Sequence, residues 1–354
     1  MNARPDKLRG PQGFISGEGK AFRRAGAAFA AVIVIAAGGV SVMALRSVSP
    51  APEPFAEATI RIHDSAPAPR QDAAPSPGAP GSPADGPVRL AAAPDPRLVE
   101  PSAFGMLPRI GRDGAHPARV YARPASSKPG PRIAILVGGL GIGQSGTVEA
   151  IAKLPPDVTL AFAPYGEDLE RMVSKARSDG HEVMLQVPME PFDYPDSDPG
   201  PHTLTTRARG EENMDRLHWV MGRFTGYVGL VNLMGARMTA DAEAFEPILQ
   251  EIASRGLFFL DDGSSPRSVI ASGDGRSLPA GRAHLVIDGV PRAEAIDAEL
   301  KKLEETARRD GLAIGTASAL PVTVDRIALW AKALESAGIQ LVPVSSAMEG
   351  RSPR

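Results

Sequence analysis

Four carboxylates are the residues of this 354-residue chain that are best placed to do chemistry, because each follows a short apolar run typical of a buried strand. They are Glu190, Asp261, Asp262 and Asp288. Carboxylates gathered in one place act as general acid and base, or hold an oxygen-preferring cation such as Mg²⁺ or Ca²⁺. Taken singly, each is equally consistent with a loop or turn residue, so they form a site only if the fold brings them together.

Histidine and cysteine, the usual ligands of zinc, contribute little to this chain. It has no cysteine and six histidines, and no two histidines have the spacing of a metal-binding motif. His202, in the polar segment DPGPHTL, is the candidate site histidine. His181 and His218 are interpreted as a turn residue and a packing residue. Neither a GxSxG elbow nor an HExxH motif is present.

The segment from Gly141 to Gly146 (GIGQSG) fits the GxGxxG pattern of dinucleotide-binding loops. Glu167 lies at about the spacing of the acid that binds ribose in such sites. The pattern begins late, however, because the preceding strand is predicted to end at Val137. The uncharged run at residues 25–45 also predicts export of the domain, and exported domains seldom use NAD, so we interpret the pattern as accidental.

The elements that must position these residues alternate between strand and helix from residue 132 onward. Eight apolar runs predict strands, namely Ile133–Val137, Val158–Ala163, Glu182–Val187, Tyr227–Asn232, Leu257–Leu260, Ala283–Ile287, Leu312–Thr316 and Ile339–Val344. Amphipathic segments between them predict helices, among them Glu167–Gly180, Glu211–Phe224, Asp241–Gly256 and Arg292–Gly311. This alternation predicts a parallel sheet, open or closed into a barrel, with its chemistry at the carboxyl ends of the strands.

The N-terminal part of the chain has the features of a membrane anchor. Residues 1–24 form a basic tail, and Ala25–Leu45 contains no charged residue. At about 21 residues this apolar run is long enough to cross a bilayer as a helix. The basic flank predicts a single pass through the inner membrane, with a cytoplasmic N-terminus and a periplasmic domain. The alternative is a signal peptide whose cleavage releases the protein into the periplasm.

A linker is predicted to follow the anchor. Residues 46–106 are rich in Pro, Ala, Ser and Gly and contain too little apolar surface to offset chain entropy, which predicts disorder. Residues 107–131 have spaced apolar side chains, and we expect them to pack as an extension on a domain at 132–350. Lys and Arg number 39 against 41 Asp and Glu, a net charge of −2, which excludes the broad basic surface of a nucleic-acid binder.

Five longer segments carry a family resemblance: KLPPDVTLAFAPYGEDLE, GHEVMLQVPMEPFDYPDSDPGPHTL, GYVGLVNLMGARMTAD, GLFFLDDGSSPRSV and IQLVPVSS. Through them, the chain from about Leu107 onward resembles the divergent polysaccharide deacetylase family, a branch of the carbohydrate esterase superfamily. The resemblance implies an α/β fold, a distorted (β/α) barrel, and a role with peptidoglycan or another N-acetylated polysaccharide of the cell envelope.

The resemblance also implies a metal site, which this chain departs from. In the family, a divalent metal such as zinc is held by one Asp and two His, and a second Asp acts as base. The matching positions here are Gly138 and Gly139 for the two acids, and Leu233 and Ser318 for the two histidines. Glycine and leucine side chains cannot ligate a metal, and glycine cannot accept a proton. We therefore expect no metal cofactor and impaired catalysis.

Six polar residues are expected to form a surviving groove that binds sugar hydroxyls and amides: Glu190, Tyr194, His202, Asn232, Asp261 and Asp288. Glu190, Asp261 and Asp288 are also the candidates for residual catalysis. Three hypotheses follow. The protein binds an envelope glycan without a metal site, or it is an active carbohydrate N-acetyl deacetylase that uses the residual carboxylates, or it is an envelope scaffold that binds a protein partner.

Overall fold

Residues 88–125, 128–208, 211–272 and 279–348 are described by a computed structural model of the chain. The predicted basic tail (1–24), the predicted anchor (25–45) and the linker as far as residue 87 lie outside these residues. Within them, no helix combines the length and the apolar character needed to cross a bilayer.

Nine parallel strands form a single curved sheet, and a separate antiparallel hairpin precedes it. The strands of the described residues are β1 (Val99–Ser102), β2 (Gly105–Pro108), β3 (Arg132–Leu140), β4 (Thr159–Phe162), β5 (Val183–Met189), β6 (Gly229–Met234), β7 (Phe258–Asp261), β8 (Ala280–Arg282), β9 (Leu285–Val286), β10 (Leu312–Ser318) and β11 (Gln340–Val342). Their order in the sheet is β8-β7-β6-β5-β4-β3-β10-β9, with β11 paired to β3. The α/β architecture with parallel strands is as predicted.

The sheet curves into an incompletely closed barrel. Its two edge strands, β8 and β9, are joined only by Ala283 and His284. The Ala283 N–H donates to the carbonyl of Asp261 in β7, and the His284 N–H donates to the carbonyl of Ile314 in β10, at 2.9 and 2.7 Å. This connection can span only about 11 Å. The two edges of the sheet therefore lie close together.

Alternate residues of each strand pack into two separate hydrophobic clusters. Along β3, Ile133, Ile135 and Val137 belong to the outer cluster, which the helices cover. Ala134 and Leu136 belong to the inner cluster, which fills the barrel. Because both faces are covered, the strands are continuous apolar runs.

The helices follow the strands in the alternation that the sequence predicts. They are α1 (Pro117–Val120), α2 (Gln144–Lys153), α3 (Leu169–Ser178), α4 (Glu212–Met221), α5 (Ala242–Ser254), α6 (Val269–Ser272), α7 (Ala293–Asp310), α8 (Pro321–Leu334) and α9 (Val344–Met348). The predicted glycine stop is present after α7, where Gly311 has a φ of 81° and its N–H donates to Ala307 O.

Two predicted strands differ from the structure. The run Ala283–Ile287 contributes only β9, because Ala283 and His284 cross from one edge of the sheet to the other and pair with different strands. The run Ile339–Val344 ends as a strand at Val342, and α9 begins at Val344. β8 was not predicted, because AGR carries no apolar run.

The linker prediction through residue 106 is wrong at its C-terminal end. Residues 96–108 contain a turn of 3-10 helix and the β1–β2 hairpin, and Leu98 is fully buried in the inner cluster. The backbone N–H of Asp95 donates to the hydroxyl of the buried Tyr121 at 2.8 Å. The burial of Leu98 and this hydrogen bond hold residues 95–108 against the domain, although the preceding sequence is rich in proline. Leu107 is likewise buried, in the outer cluster.

Candidate functional site

A groove of about 200 Å³ opens at the carboxyl ends of the central strands. It is lined by residues of β3, β5, β6, β9 and β10 and of the segments after β7 and β9: Leu136, Gly138, Gly139, Gln186, Val231, Asn232, Leu233, Met234, Asp262, Ser264, Val286, Asp288, Thr316, Ala317 and Ser318. The lining contains two carboxylates and neither lysine nor arginine. The groove lies where the topology of a parallel α/β sheet predicts a site.

Asn232 lies in this groove, as expected, and organises the end of β6. Its Nδ2 donates to the carbonyl of Met234 at 2.7 Å, and its Oδ1 accepts from the backbone N–H of Asp262 at 2.9 Å. Met234 has a φ of 60°, in the left-handed region, which costs a non-glycine residue roughly 1–2 kcal/mol. The Asn232 side chain therefore joins two strand ends and supports a strained residue on the rim of the groove.

Asp288 also lies in the groove, as expected. Its Oδ2 accepts hydrogen bonds from the backbone N–H of Ser318 at 2.8 Å and from Oγ1 of Thr323 at 3.0 Å. Among the described residues, no group donates to its other oxygen, Oδ1. The carboxylate is thus held in place by one oxygen while the other remains available to a ligand.

Asp261 does not line the groove, and its neighbour Asp262 takes the expected place. Asp261 has the same orientation as Phe259, which packs in the outer cluster. Asp262 continues the alternation of Leu260, which packs in the inner cluster. Successive side chains of a strand point to opposite faces, so a shift of one residue decides which carboxylate reaches the groove.

The carboxylate of Asp261 is instead buried beneath the loop after β7. Its Oδ1 accepts from the backbone N–H of Gly263 at 2.8 Å, and its Oδ2 lies 3.5 Å from Nε of Arg282 without a hydrogen bond. Burial raises the pKa of Asp261, although the nearby Ser268 hydroxyl and the hydrogen bond from the Gly263 N–H act against this. We therefore assign Asp261 a structural role in holding the loop after β7, and not a role in the groove.

Glu190 directly follows β5 and is buried, but its carboxylate braces two loops outside the groove. Its Oε2 accepts from the N–H and the Oγ1 of Thr206 at 2.6 and 2.9 Å. Its Oε1 lies 3.5 Å from Nη1 of Arg237, and its carbonyl accepts from the N–H groups of Arg237 and Met238. Glu190 therefore joins the loop after β5 to the segment after β6.

His202 and Tyr194 lie on the long loop after β5 and do not line the groove. The imidazole of His202 stacks on Trp219, with ring centroids 3.5 Å apart and planes inclined by 1°. The guanidinium of Arg223 lies 4.9 Å from the Trp219 ring. Burial, assisted by the charges of Arg216 and Arg223, lowers the pKa of His202, so the stacked ring is neutral at pH 7. We interpret His202 as a packing residue.

The four positions where the family resemblance implies metal ligands or acids all meet in the groove. They are Gly138, Gly139, Leu233 and Ser318. None supplies an imidazole or a carboxylate, and the described residues contain no group of three or more His, Cys, Asp or Glu side chains arranged to hold a metal. The donor set therefore does not fit the zinc that the family implies.

Gln186 is a groove residue that the sequence reasoning missed. It is only 7% exposed, and it lies two residues after Met184, which packs inside the barrel. The period-two alternation of side chains along β5 could have identified it, because Gln186 has the same orientation as Met184. Its Oε1 accepts a hydrogen bond from the backbone N–H of Gly139 at 2.7 Å.

A larger cavity, of about 730 Å³, lies between residues 90–94 and α3, and contains none of the six predicted site residues. Arg177 in its wall donates to the carbonyls of Ala91, Tyr121 and Gly226. This buried guanidinium holds the N-terminal segment on the domain, so its contacts are structural.

Comparison with known proteins assigns the domain to a family. Residues 135–348 match the model of divergent polysaccharide deacetylases. An uncharacterised protein from Agrobacterium tumefaciens C58, known from its crystal structure, is 45% identical with a TM-score of 0.67, over 69% of this chain and 99% of that protein. The uncharacterised protein YibQ of Escherichia coli K12 is 24% identical over 196 residues, which are 54% of this chain and 60% of YibQ. An uncharacterised protein of Haemophilus influenzae is 26% identical over 180 residues, which are 49% of this chain and 62% of that protein. The match thus covers somewhat over half of the length of each of these two relatives. The match over residues 135–348, more than half of the chain, shows that the protein belongs to the divergent polysaccharide deacetylase family.

Proposed function

We propose that the protein is a membrane-anchored, periplasm-facing member of this family that binds an envelope glycan in the groove and does not hydrolyse it through a metal centre. The ligand is peptidoglycan or another N-acetylated polysaccharide. This proposal joins the family membership to the chemistry of the residues at the strand ends.

The observation that carries the proposal is the composition of the groove. Hydrogen-bonding side chains remain at the carboxyl ends of the strands, and both Asn232 and Asp288 are held rigidly by backbone groups. The positions expected to hold a metal are occupied by glycine, leucine and serine. Such a groove can bind sugar hydroxyls and amides, whereas it has no ligand set with which to activate water.

Glycan binding and turnover are tested on the full-length chain, purified in a mild detergent. Isothermal titration with peptidoglycan fragments and chito-oligosaccharides, deacetylation assays and zinc analysis are run on the same preparation. We expect binding without turnover and without stoichiometric zinc. Stoichiometric zinc together with deacetylation would overturn the proposal, and absence of binding to any envelope glycan would favour a protein scaffold.

The anchor and the location are tested separately. The uncharged run at 25–45 and its basic flank support a single pass with the domain in the periplasm. A reporter that is active only in the periplasm, fused after residue 348, should be active, and the protein should sediment with membranes. Recovery of a shortened chain in the soluble periplasmic fraction would support cleavage instead. A cytoplasmic reporter signal would contradict the topology.

A residual hydrolase is the second candidate, and one observation favours it. Asp262 and Asp288 both line the groove, and each has one carboxylate oxygen that accepts no hydrogen bond from the described residues. If they catalyse hydrolysis as acid and base, Asp262→Asn and Asp288→Asn should each abolish deacetylation with the fold intact. Asp261→Asn, outside the groove, is the control.

A further inference from the structure

We propose that Gln186 determines which ligand the groove accepts, by donating a hydrogen bond from Nε2 to a neutral acceptor oxygen, the carbonyl of an acetamido group. This inference rests on the proposed function, because it names the residue that recognises the acetylated sugar in the same groove.

The orientation of the Gln186 amide follows from its partner. The Gly139 N–H is a donor, so the atom 2.7 Å away must be the amide oxygen, Oε1. The amino group, Nε2, is thereby directed away from this bond. Among the described residues no acceptor forms a hydrogen bond with Nε2, and this atom is not sealed from solvent. The groove thus presents an oriented donor that has no partner in the part of the chain that the structure describes.

Glycine at position 138 allows this arrangement. A Cβ atom on Gly138 would lie 2.7 Å from Nε2 of Gln186, closer than real Cβ contacts allow. Any larger residue at 138 therefore displaces the amide from its observed position. Because the obstructing atom is the end of a flexible side chain, the displacement should move Gln186 without unfolding the strand.

The charges around the amide select a neutral acceptor. Asp262 and Asp288 line the same groove, and each has a carboxylate oxygen that accepts no hydrogen bond from the described residues. These two anions repel a carboxylate or phosphate on the ligand, and they bind hydroxyl and N–H donors. A neutral carbonyl flanked by N–H and hydroxyl donors, as in an N-acetylated sugar, complements one amide donor and two anionic acceptors.

The chemistry yields a test in which one substitution affects the binding of two ligands differently. Gln186→Glu keeps an oxygen for the Gly139 N–H but replaces the free amino group with a carboxylate oxygen. The full-length chain and this variant are titrated with N-acetylated chitotetraose and with its fully de-N-acetylated, cationic counterpart. We expect the variant to bind the acetylated ligand roughly tenfold more weakly, the effect of one hydrogen bond to a buried donor. Binding of the cationic ligand should be unchanged or tighter.

Controls separate this role from a structural one. Gln250→Glu makes the same chemical change on an exposed face of α5 and should alter neither affinity. Gly138→Ala keeps glutamine at position 186 but moves its amide group, and it should therefore also weaken binding of the acetylated ligand. The melting temperature of this variant should stay close to that of the unmodified protein.

The outcomes distinguish the inference from the proposed function. If the unmodified protein binds the acetylated ligand and Gln186→Glu and Gly138→Ala bind it equally well, the role of Gln186 is overturned and glycan binding stands. Equal weakening of both ligands by Gln186→Glu would likewise overturn it, because a general loss of the groove lacks the expected selectivity. If the unmodified protein binds neither ligand, the proposed function and the inference fail together.

Discussion

Replacing Asn232 with alanine tests whether one side chain joins the ends of β6 and β7. The substitution removes the hydrogen bonds to the carbonyl of Met234 and from the N–H of Asp262, at 2.7 and 2.9 Å. Asn232 is 3% exposed, so its removal leaves a donor and an acceptor that water reaches poorly. Each unsatisfied group costs about 1–3 kcal/mol. Because Met234 is exposed and Asp262 is partly exposed, the lower half of this range applies, and we expect a total loss of about 2–4 kcal/mol.

The loss is measured as the difference in free energy of unfolding, from urea denaturation followed by circular dichroism. For a domain of this size a loss of 1 kcal/mol lowers the melting temperature by about 2–4 °C, so we expect a decrease of about 4–16 °C. Ser264→Ala is the matched control, since Ser264 is exposed on the same rim and its hydroxyl donates to the Asp262 carboxylate. This control should change stability by about 0.5 kcal/mol or less.

A second substitution separates the two bonds. Asn232→Asp keeps an acceptor for the Asp262 N–H but places a carboxylate oxygen against the carbonyl of Met234, near two other carboxylates. It should be less stable than the unmodified protein at pH 7 and recover as the pH falls. If Asn232→Ala unfolds within about 0.5 kcal/mol of the unmodified protein, the bridge between the two strand ends is not made as described, and the reasoning is refuted.

Three further predictions concern other parts of the domain. His218 and Arg255 lower the pKa of Glu251 to about 2, below its ordinary 4.5, so the stability that this carboxylate contributes is present above pH 4.5 and is lost as the pH falls toward 2. The Glu251→Gln variant should lack this loss when its stability is measured against pH, and identical profiles for the two proteins would contradict the prediction. Phe245→Ala removes a fully buried ring from an edge-to-face pair and should cost about 3–5 kcal/mol in urea denaturation, with a loss under 1 kcal/mol counting against the packing. In Gly139→Ala the added methyl group meets no atom within 4 Å, but alanine must adopt a φ of 81°, so the free energy of unfolding should fall by about 1–2 kcal/mol. Gly143→Ala has equal space and a negative φ and should lose much less stability, so equal effects of the two substitutions on the melting temperature would refute the backbone argument.

The sheet and its site edge could be predicted because the strands are buried on both faces. Continuous apolar runs locate such strands, and the polar residue after each run marks its carboxyl end. Asn232 and Asp288 were placed in the groove by this reasoning, and the structure brings them together. Their assignment needed only local sequence, because parallel strands all end on one edge of the sheet.

Glu190 and Asp261 were expected in the groove for the same reason, and His202 as the histidine of a polar loop, but all three lie elsewhere. Glu190 accepts a hydrogen bond from Thr206 and pairs with Arg237, contacts that the local sequence pattern does not predict. His202 stacks on a tryptophan from α4, and Asp261 is turned away by the pleat of β7. In each case the position depends on partners distant in sequence or on a register of one residue.

The sequence by itself determined what the groove lacks, since glycine at 138 and 139, leucine at 233 and serine at 318 carry no imidazole or carboxylate in any fold. It also determined the family, through segments that keep their order along the chain. Only the tertiary structure decided which polar groups converge. The orientation of Gln186 depends on a backbone N–H of another strand and on the absence of a side chain at residue 138. Such an arrangement depends on how the curved sheet brings β5 and β3 together inside the barrel, which the sequence of either strand alone does not encode.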